Sequence, residues 1–345
     1  MSDQIPTFNY QAYSAGINML SQQLTEMTRG TVIEEGMSGK RVFFDQVGKV
    51  RMQAKVGRAV DIPVVNTPHA RRSVTARDFY IRDFIDEFDK LKILNDPTNA
   101  YTQAFSAAAA RETDKVLIDA ALGTAYTGEE GGTTVALPSA QKIAAATSGF
   151  TLAKLRQAVR ILKSANALMP GDGVHVFWTA RQEEEFINTT EVKSSDFNNQ
   201  KVMVDGCLQH FYGCAFHRIE DVTASERILP KASTTRSCVA WVKSGMRLGT
   251  WKKAGGRVDY LPERDAWQVM AGLSIGATRM EENKVVQIDV VEPTGPDTLA
   301  VFSMGGTEVI ARLEPFAATE GDKLTFAVKS EKVVLFDTAT EARLD

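Results

Sequence analysis

Residues 36 to 75, GMSGKRVFFDQVGKVRMQAKVGRAVDIPVVNTPHARRSVT, restrict the possible folds more than any other stretch of the chain. Over about 40 residues no helical period appears, and basic side chains alternate with apolar ones. Val42–Phe44 and Val47–Met52 are β-prone, and Gly48 marks a turn. Pro63 and Pro68 disfavour a central strand, because proline gives a ladder no N–H. The pattern predicts an extended two-stranded ribbon. A lone ribbon is marginal in water, so it needs another surface to lie on.

The charge is arranged to match. The net charge of the 345 residues is only −3. Gly36–Arg72 nevertheless holds eight Lys and Arg against Asp45 and Asp61, and Ile288–Asp345 holds eleven Asp and Glu against five Lys and Arg. A basic ribbon and an acidic tail can attract each other or a partner. Hydrophobic content of 43% is enough for an ordinary core. Cys207, Cys214 and Cys238 have no zinc-ligand spacing and read as reduced core thiols. No apolar run approaches the roughly 18 residues of a membrane span, and the N-terminus lacks the charged start and apolar core of a signal peptide. The expectation is a soluble protein that stays where it is made, with no membrane partner.

Along the chain, residues 1–35 read as an arm with Tyr10, Tyr13 and a short amphipathic helix ending at Gly30. Phe79–Leu94 reads as mainly helical. Asp96-Pro97 then gives an N-cap and a first-turn proline, and TNAYTQAFSAAAARETDKVLIDAAL runs without a breaker to Gly123. This predicts a spine helix whose Ala107–Ala110 patch admits close approach. A short helical piece is expected at 139–146. Thr151 caps a helix with Leu152, Leu155, Ala158, Val159 and Leu162 on one face. VHVFWT, from Val174, is a buried strand, and a polar helix follows through Asn188. Its Glu183, Glu184 and Glu185 read as a solvated face. RSCVAWVKSGMRLGTW, GRVDYLPERDAWQVMAGLSIGATRM and KVVQIDV are closing strands.

The sequence carries no phosphate-binding GxxxxGK[ST], no GxSxG and no HExxH. His210 and His217 flank Cys214, so a thiol enzyme is one reading; it requires a cysteine of depressed pKa. Phe43 and Phe44, being adjacent, point to opposite faces of a strand and make a poor stacking platform for bases. No cofactor is implied.

Arm, basic ribbon, spine helix, α+β unit and closing strands, in that order, resemble the major capsid protein of tailed bacteriophages, a fold shared with herpesvirus capsids. The wording of FNYQAYSAGINMLSQQ, GKRVFFDQVGKVRM, DIPVVNTPHARRSVTARDFYIRDFIDEFDKLKILNDPTNAYTQAFSAAAAR and LSIGATRMEENKVVQI is similar to that family over residues 5 to 288. The resemblance implies an N-terminal arm (1–35), an extended loop (36–75), a peripheral domain with the spine helix (76–135) and an axial domain (136–235). Closing strands of the peripheral domain follow (236–288), and a C-terminal β domain ends the chain (289–345). It also implies a non-enzymatic structural protein of the virion, assembled in the bacterial host cytoplasm. Its expected partners are copies of itself in hexamers and pentamers, a portal, scaffolding or decoration proteins, and double-stranded DNA held without sequence preference. Candidate inter-subunit contacts are Tyr10, Tyr13, Arg41, Phe43, Phe44, Lys49, Arg51, Lys55, Arg58, Arg71 and Arg72.

The tail has its own resemblance. VVEPTGPDTL, GDKLTFAVKSEKV and LFDTATEARL look like the small TOBE-type β-barrel that ends sugar-import transporter ATPases. The hairpin signal around Gly305-Gly306 supports a β module independently. With no Walker lysine before it, the resemblance implies a fold and not transport. On a capsid such a module is expected to be a built-in decoration or stabilising domain. The alternative is a transporter-associated regulatory protein that binds a ligand through the tail.

Overall fold

The spine helix α1, Thr98–Leu122, is the frame of the computed structural model. Its 25 residues reach about 37 Å at 1.5 Å per residue. Ala107, Leu117, Ile118 and Ala121 are fully buried along it, so its small and branched residues set how closely the sheets approach. The structure describes residues 22–58, 61, 62, 64–86, 98–146, 148–168, 171–188, 203, 204, 207–222 and 227–292. Beyond these it describes strand backbone at 298–304, 307–313, 335, 336, 343 and 344. Tyr10, Tyr13 and the Asp96-Pro97 cap lie outside the described residues.

The chain divides into two units, residues 1–292 and 293–345. In the first, the strands are β1 (Ile33–Gly36), β2 (Arg41–Val47), β3 (His69–Thr75), β4 (Arg77–Asp86), β5 (Ala125–Thr127), β6 (Thr133–Val135), β7 (Lys142–Ile143) and β8 (Val174–Trp178). They continue with β9 (Met203–Val204), β10 (Cys207–Leu208), β11 (His210–Phe211), β12 (Cys214–Arg218), β13 (Lys231–Ala232) and β14 (Thr235–Val242). The series closes with β15 (Met246–Leu261), β16 (Ala266–Arg279) and β17 (Val285–Val291). Helices α2 (Leu152–Ser164) and α3 (Ala180–Ile187) complete the unit.

One sheet has the order β1-β15-β16-β4, a second β11-β12-β8-β14-β17-β7 with β13 beside β14, and a third β2-β3-β5-β6. The seven-stranded sheet is buried on both faces. Val174, Val176 and Trp178 face a core with Leu155, Leu162 and Phe186 from α2 and α3. Phe177 points the other way, into a core with Trp241, Leu248 and Leu117 of α1. A strand covered on both sides reads as the near-continuous apolar run seen there. Thr151 caps α2, its side chain accepting from Lys154 N. Asn166, at φ 52, turns the chain out of α2 in the left-handed conformation that asparagine tolerates.

Five expectations change. Arg77–Asp86 is a strand and not a helix, because its backbone pairs along Ala266–Ile275 while Phe79 and Ile85 pack towards α1. Residues 22–28 are irregular, with only a 3-10 turn at Arg29–Thr31. The segment at 139–146 holds a single 3-10 turn, Ser139–Gln141, before β7. The closing strands also divide: β14 and β17 join β8 in the seven-stranded sheet, with Val239 opposite Phe177. Only β15 and β16 belong with β4. Asp289–Val291 pair in β17, so a boundary at 289 falls inside the body's last strand.

The body fastens its own ends. Asp114 of α1, buried, accepts from Met27 N at 3.0 Å, Thr28 N at 3.0 Å, Thr28 Oγ1 at 2.6 Å and Gln23 Nε2 at 2.5 Å. Burial raises its pKa, and these donors oppose the rise. Residues 23–28, just before β1, are thereby tied to the spine.

In the C-terminal unit, Thr298–Met304 pairs antiparallel with Thr307–Leu313, Met304 opposite Thr307. Leu335–Phe336 pairs with Arg343–Leu344. The first pair is the expected hairpin around Gly305-Gly306.

Candidate functional site: the basic ribbon and its root

The ribbon is the feature the sequence singled out, and its two halves differ. Its root is rigid. β2 and β3 pair from Arg41 opposite Thr75 to Val47 opposite His69. β5 then extends the sheet, so the root is four-stranded and not a lone hairpin. At the far end Gly48 N donates to Pro68 O at 2.7 Å. A Cβ on Gly48 would come within 2.9 Å of Pro68 Cβ, so only glycine fits that closure.

The root is also bolted to the body. Arg72, buried, donates Nε to Met280 O at 3.1 Å and pairs Nη2 with Glu282 at 2.7 Å. Gln46 Nε2 reaches the same Met280 carbonyl at 2.6 Å. Phe44 packs inward with Val74 and Met280, and the Arg247 guanidinium lies 5.2 Å from its ring centroid. Phe43 takes the opposite, exposed face, where Arg71 lies 5.3 Å from its ring and pairs with Asp45 at 2.6 Å. Arg41 donates to Glu130 O at 2.7 Å. Of the eleven contact candidates, Phe44 and Arg72 are therefore spent inside their own chain.

The loop beyond the root is the reverse. Lys49, Arg51, Lys55 and Arg58 are exposed. Among them stand Val50, Met52, Val56, Ile62 and Val64, also exposed, with Met52 at 102%. Several branched and long apolar side chains fully in water on one loop is a pattern a monomer rarely keeps.

The competing readings lose their chemistry. Cys214 is buried, and burial pushes its thiol up to about 12, the opposite of an activated nucleophile. His217 hydrogen-bonds His175 instead, Nε2 to Nδ1 at 3.1 Å, and stacks on Phe177 at 5.0 Å. The glutamate run is not a solvated face. Glu183 is buried and accepts from Leu208 N at 2.9 Å, Glu185 accepts from Phe150 N at 3.0 Å, and only Glu184 is exposed. Among the described residues no three His, Cys, Asp or Glu groups converge to hold a metal ion, and no helix is long and apolar enough to cross a membrane.

Sequence reasoning missed a buried cluster at the end of the body. The Glu292 carboxylate accepts from Arg236, from Lys231 Nζ at 2.6 Å and from Gln182 Nε2 at 2.5 Å. The acid–base pair is far apart in sequence, and nothing local marks either residue.

Known proteins fit this architecture. The model of the phage capsid protein family matches residues 5–292. The fold is similar to solved chains of Mycobacterium phage Che8, with TM-score 0.59, 14% identity, and coverage of 81% of this chain and 97% of that one. The Cyanophage Pam1 capsid gives TM-score 0.63, 11% identity, and coverage of 83% and 97%. A short match of another kind is to the sulfoquinovosyl glycerol transport ATP-binding protein SmoE of Agrobacterium fabrum, 39% identical over 66 residues. It spans 19% of this chain and only 18% of that protein. SmoE is of the class that the tail resembles. With the family model covering the whole body, the chain belongs to the phage capsid protein family.

Proposed function

We propose that this major capsid protein of a tailed phage closes its shell by laying the loop after Gly48 of each copy across a neighbouring copy. The observation that carries the reading is the contrast within the ribbon: a bolted root and a loop with Met52, Val56, Ile62 and Val64 in water. Burying such side chains yields roughly 1.5–3 kcal/mol each, against which the loop's ordering must be set. Lys49, Arg51, Lys55 and Arg58 add charge that selects an acidic receiving surface. The arm, with Tyr10 and Tyr13, serves as a second strap. The copies form hexamers and pentamers around DNA in the host cytoplasm, with a portal at one vertex. Residues 293–345 act as a built-in stabilising module on each copy.

Electron microscopy with sedimentation velocity on overexpressed protein tests this. Closed shells or rings of five and six support it. A double variant, Met52→Asp with Ile62→Asp, should leave the subunit folded and abolish those assemblies. Unchanged shells would overturn the loop's role.

A further inference from the structure

We propose that Glu282 is a shared carboxylate that passes between Arg72 of the ribbon root and Arg279 at the end of α1, so that the set of the ribbon governs how firmly the spine helix is closed. Every group involved belongs to one chain, so the device operates without neighbouring copies.

The joint lies where the chain leaves β16 for β17. Arg279 is the last residue of β16, and Glu282 opens the 3-10 turn Glu282–Lys284 that leads into β17. This short connection joins the four-stranded sheet to the seven-stranded one. The ribbon reaches it through Arg72 of β3, and the spine helix through the carbonyls of Ala121 and Gly123. Both arginines are buried, Arg72 at 7% and Arg279 at 0% exposure, and the same carboxylate pairs with both.

The hydrogen bonds are divided unequally. Arg72 Nη2 donates to both oxygens of Glu282, at 2.8 and 2.7 Å. Arg279 Nε lies 3.5 Å from Oε1 and has no hydrogen-bond partner among the described residues. Arg72 Nη1 is likewise buried and unpartnered. Buried donors on two cations thus compete for one acceptor group, and whichever loses keeps an N–H stripped of water and unanswered. Burial lowers the pKa of Arg279 and the nearby Arg72 charge adds to this, while Glu282 opposes it.

Each arginine is seated by other bonds, so the carboxylate is the part that can choose. Arg72 Nε holds Met280 O at 3.1 Å. Arg279 holds Ala121 O at 2.7 Å, Gly123 O at 2.9 Å and Val135 O at 3.0 Å. Glu282 is 18% exposed, the least buried of the three side chains. Closing its 3.5 Å gap to Arg279 needs a move of only about 0.6 Å, to the roughly 2.9 Å of an ordinary N–H···O bond. A displacement of the ribbon that draws Arg72 away therefore hands the carboxylate to Arg279 and tightens the closure of α1. A ribbon seated on Glu282 leaves that closure looser. Two seats for one carboxylate make the two-state element that coupling between distant segments requires.

Hydrogen exchange on the unassembled full-length subunit tests this, with wild type compared against Arg72→Met, Glu282→Gln and the double variant. In Arg72→Met the ribbon root, Phe43–Val47, should exchange faster. The last turn of α1, Asp119–Leu122, should instead exchange more slowly, by a factor of about three or more. Glu282→Gln should speed exchange at the ribbon root, and in the double variant the slowing at α1 should disappear. If removing Arg72 leaves the last turn unchanged or speeds its exchange, Glu282 is a bolt for the ribbon alone and the proposal is overturned. A slowing that persists in the double variant also overturns it, because the carboxylate is then not the carrier. Should Arg72→Met fail to fold, Arg72→Lys is read in the same way. Lysine keeps the buried charge but lacks the planar fork, which leaves one carboxylate oxygen for Arg279.

Discussion

Arg236 and Glu292 form a buried ion pair in which each side chain is 1% exposed. Lys231 and Gln182 complete the carboxylate's shell, and Asp221 takes the other end of Arg236 at 2.8 Å. Replacing Glu292 by alanine leaves Arg236 buried with only the part-exposed Asp221 to answer it. Breaking such a pair costs on the order of 3–5 kcal/mol. Urea unfolding of the unassembled subunit should show this loss, and a change below about 1 kcal/mol would contradict the assigned role.

The same carboxyl sets an acid limit. Burial alone would raise it, but hydrogen bonds from Arg236, Lys231 and Gln182 outweigh burial and hold it at about 2. A depressed acid stabilises the fold above its ordinary value of 4.5 and loses that contribution as pH falls from there towards 2. Glu292→Gln should flatten the melting curve's pH dependence in this window and leave the slope above pH 5 intact.

Histidine gives a separate and higher window. Burial, with His175 and His210 near it, lowers His217 to about 4. Here the unfolded chain takes up the proton first, so stability is full above 6.5 and declines as pH falls through the range down to about 4. Allowing for partial solvent screening, the decline is on the order of 2 kcal/mol. His217→Phe keeps the stacking on Phe177 and should remove most of that decline. Melting temperatures from pH 7 to pH 4.5 decide it; identical slopes would exclude His217 as the titrating group.

Arg279 holds the end of the spine helix. It donates to Ala121 O at 2.7 Å, Gly123 O at 2.9 Å and Val135 O at 3.0 Å, with no solvent exposure. Arg279→Met fills similar volume but strands those carbonyls, for a cost of about 3 kcal/mol. Hydrogen exchange should show the last turn of α1 opening before the rest of the helix. Uniform protection along α1 would refute the capping role.

Cutting the chain after Glu292 should spare the body, because Val290 and Val291 are buried in β17 and remain. A cut at 290 removes them and should destabilise the subunit. The shorter chain ending at Glu292 should melt as a subunit like wild type and form shells of lower melting temperature. Shells of unchanged melting temperature would deny the tail a stabilising role.

What could be read in the sequence was local. α1 was plain because 25 residues run without a breaker, and α2 because Thr151 precedes a strict apolar stripe. Phe43 and Phe44 were placed on opposite faces by the two-residue period alone. What escaped was set by distant partners. Arg77–Asp86 became a strand because β16 offered a ladder, overriding its local preference. Glu183 turned inward to the backbone of Leu208. Arg236 meets Glu292 across 56 positions and Arg279 meets Ala121 across 158. Loop exposure between Gly48 and Pro68 was expected in kind, but the bolting of Arg72 and Phe44 into the body was not.

The closure of Gly48 on Pro68 separates registry from reach. The ladder from Arg41 to Val47 fixes how the ribbon leaves the body, whatever lies beyond it. Doubling the length of a flexible loop costs only about 0.6 kcal/mol. Insertions and deletions between 49 and 67 therefore alter how far a copy extends without disturbing how it folds. The stretch that would set the loop's reach is thus separate from the stretch that sets its anchorage in the body.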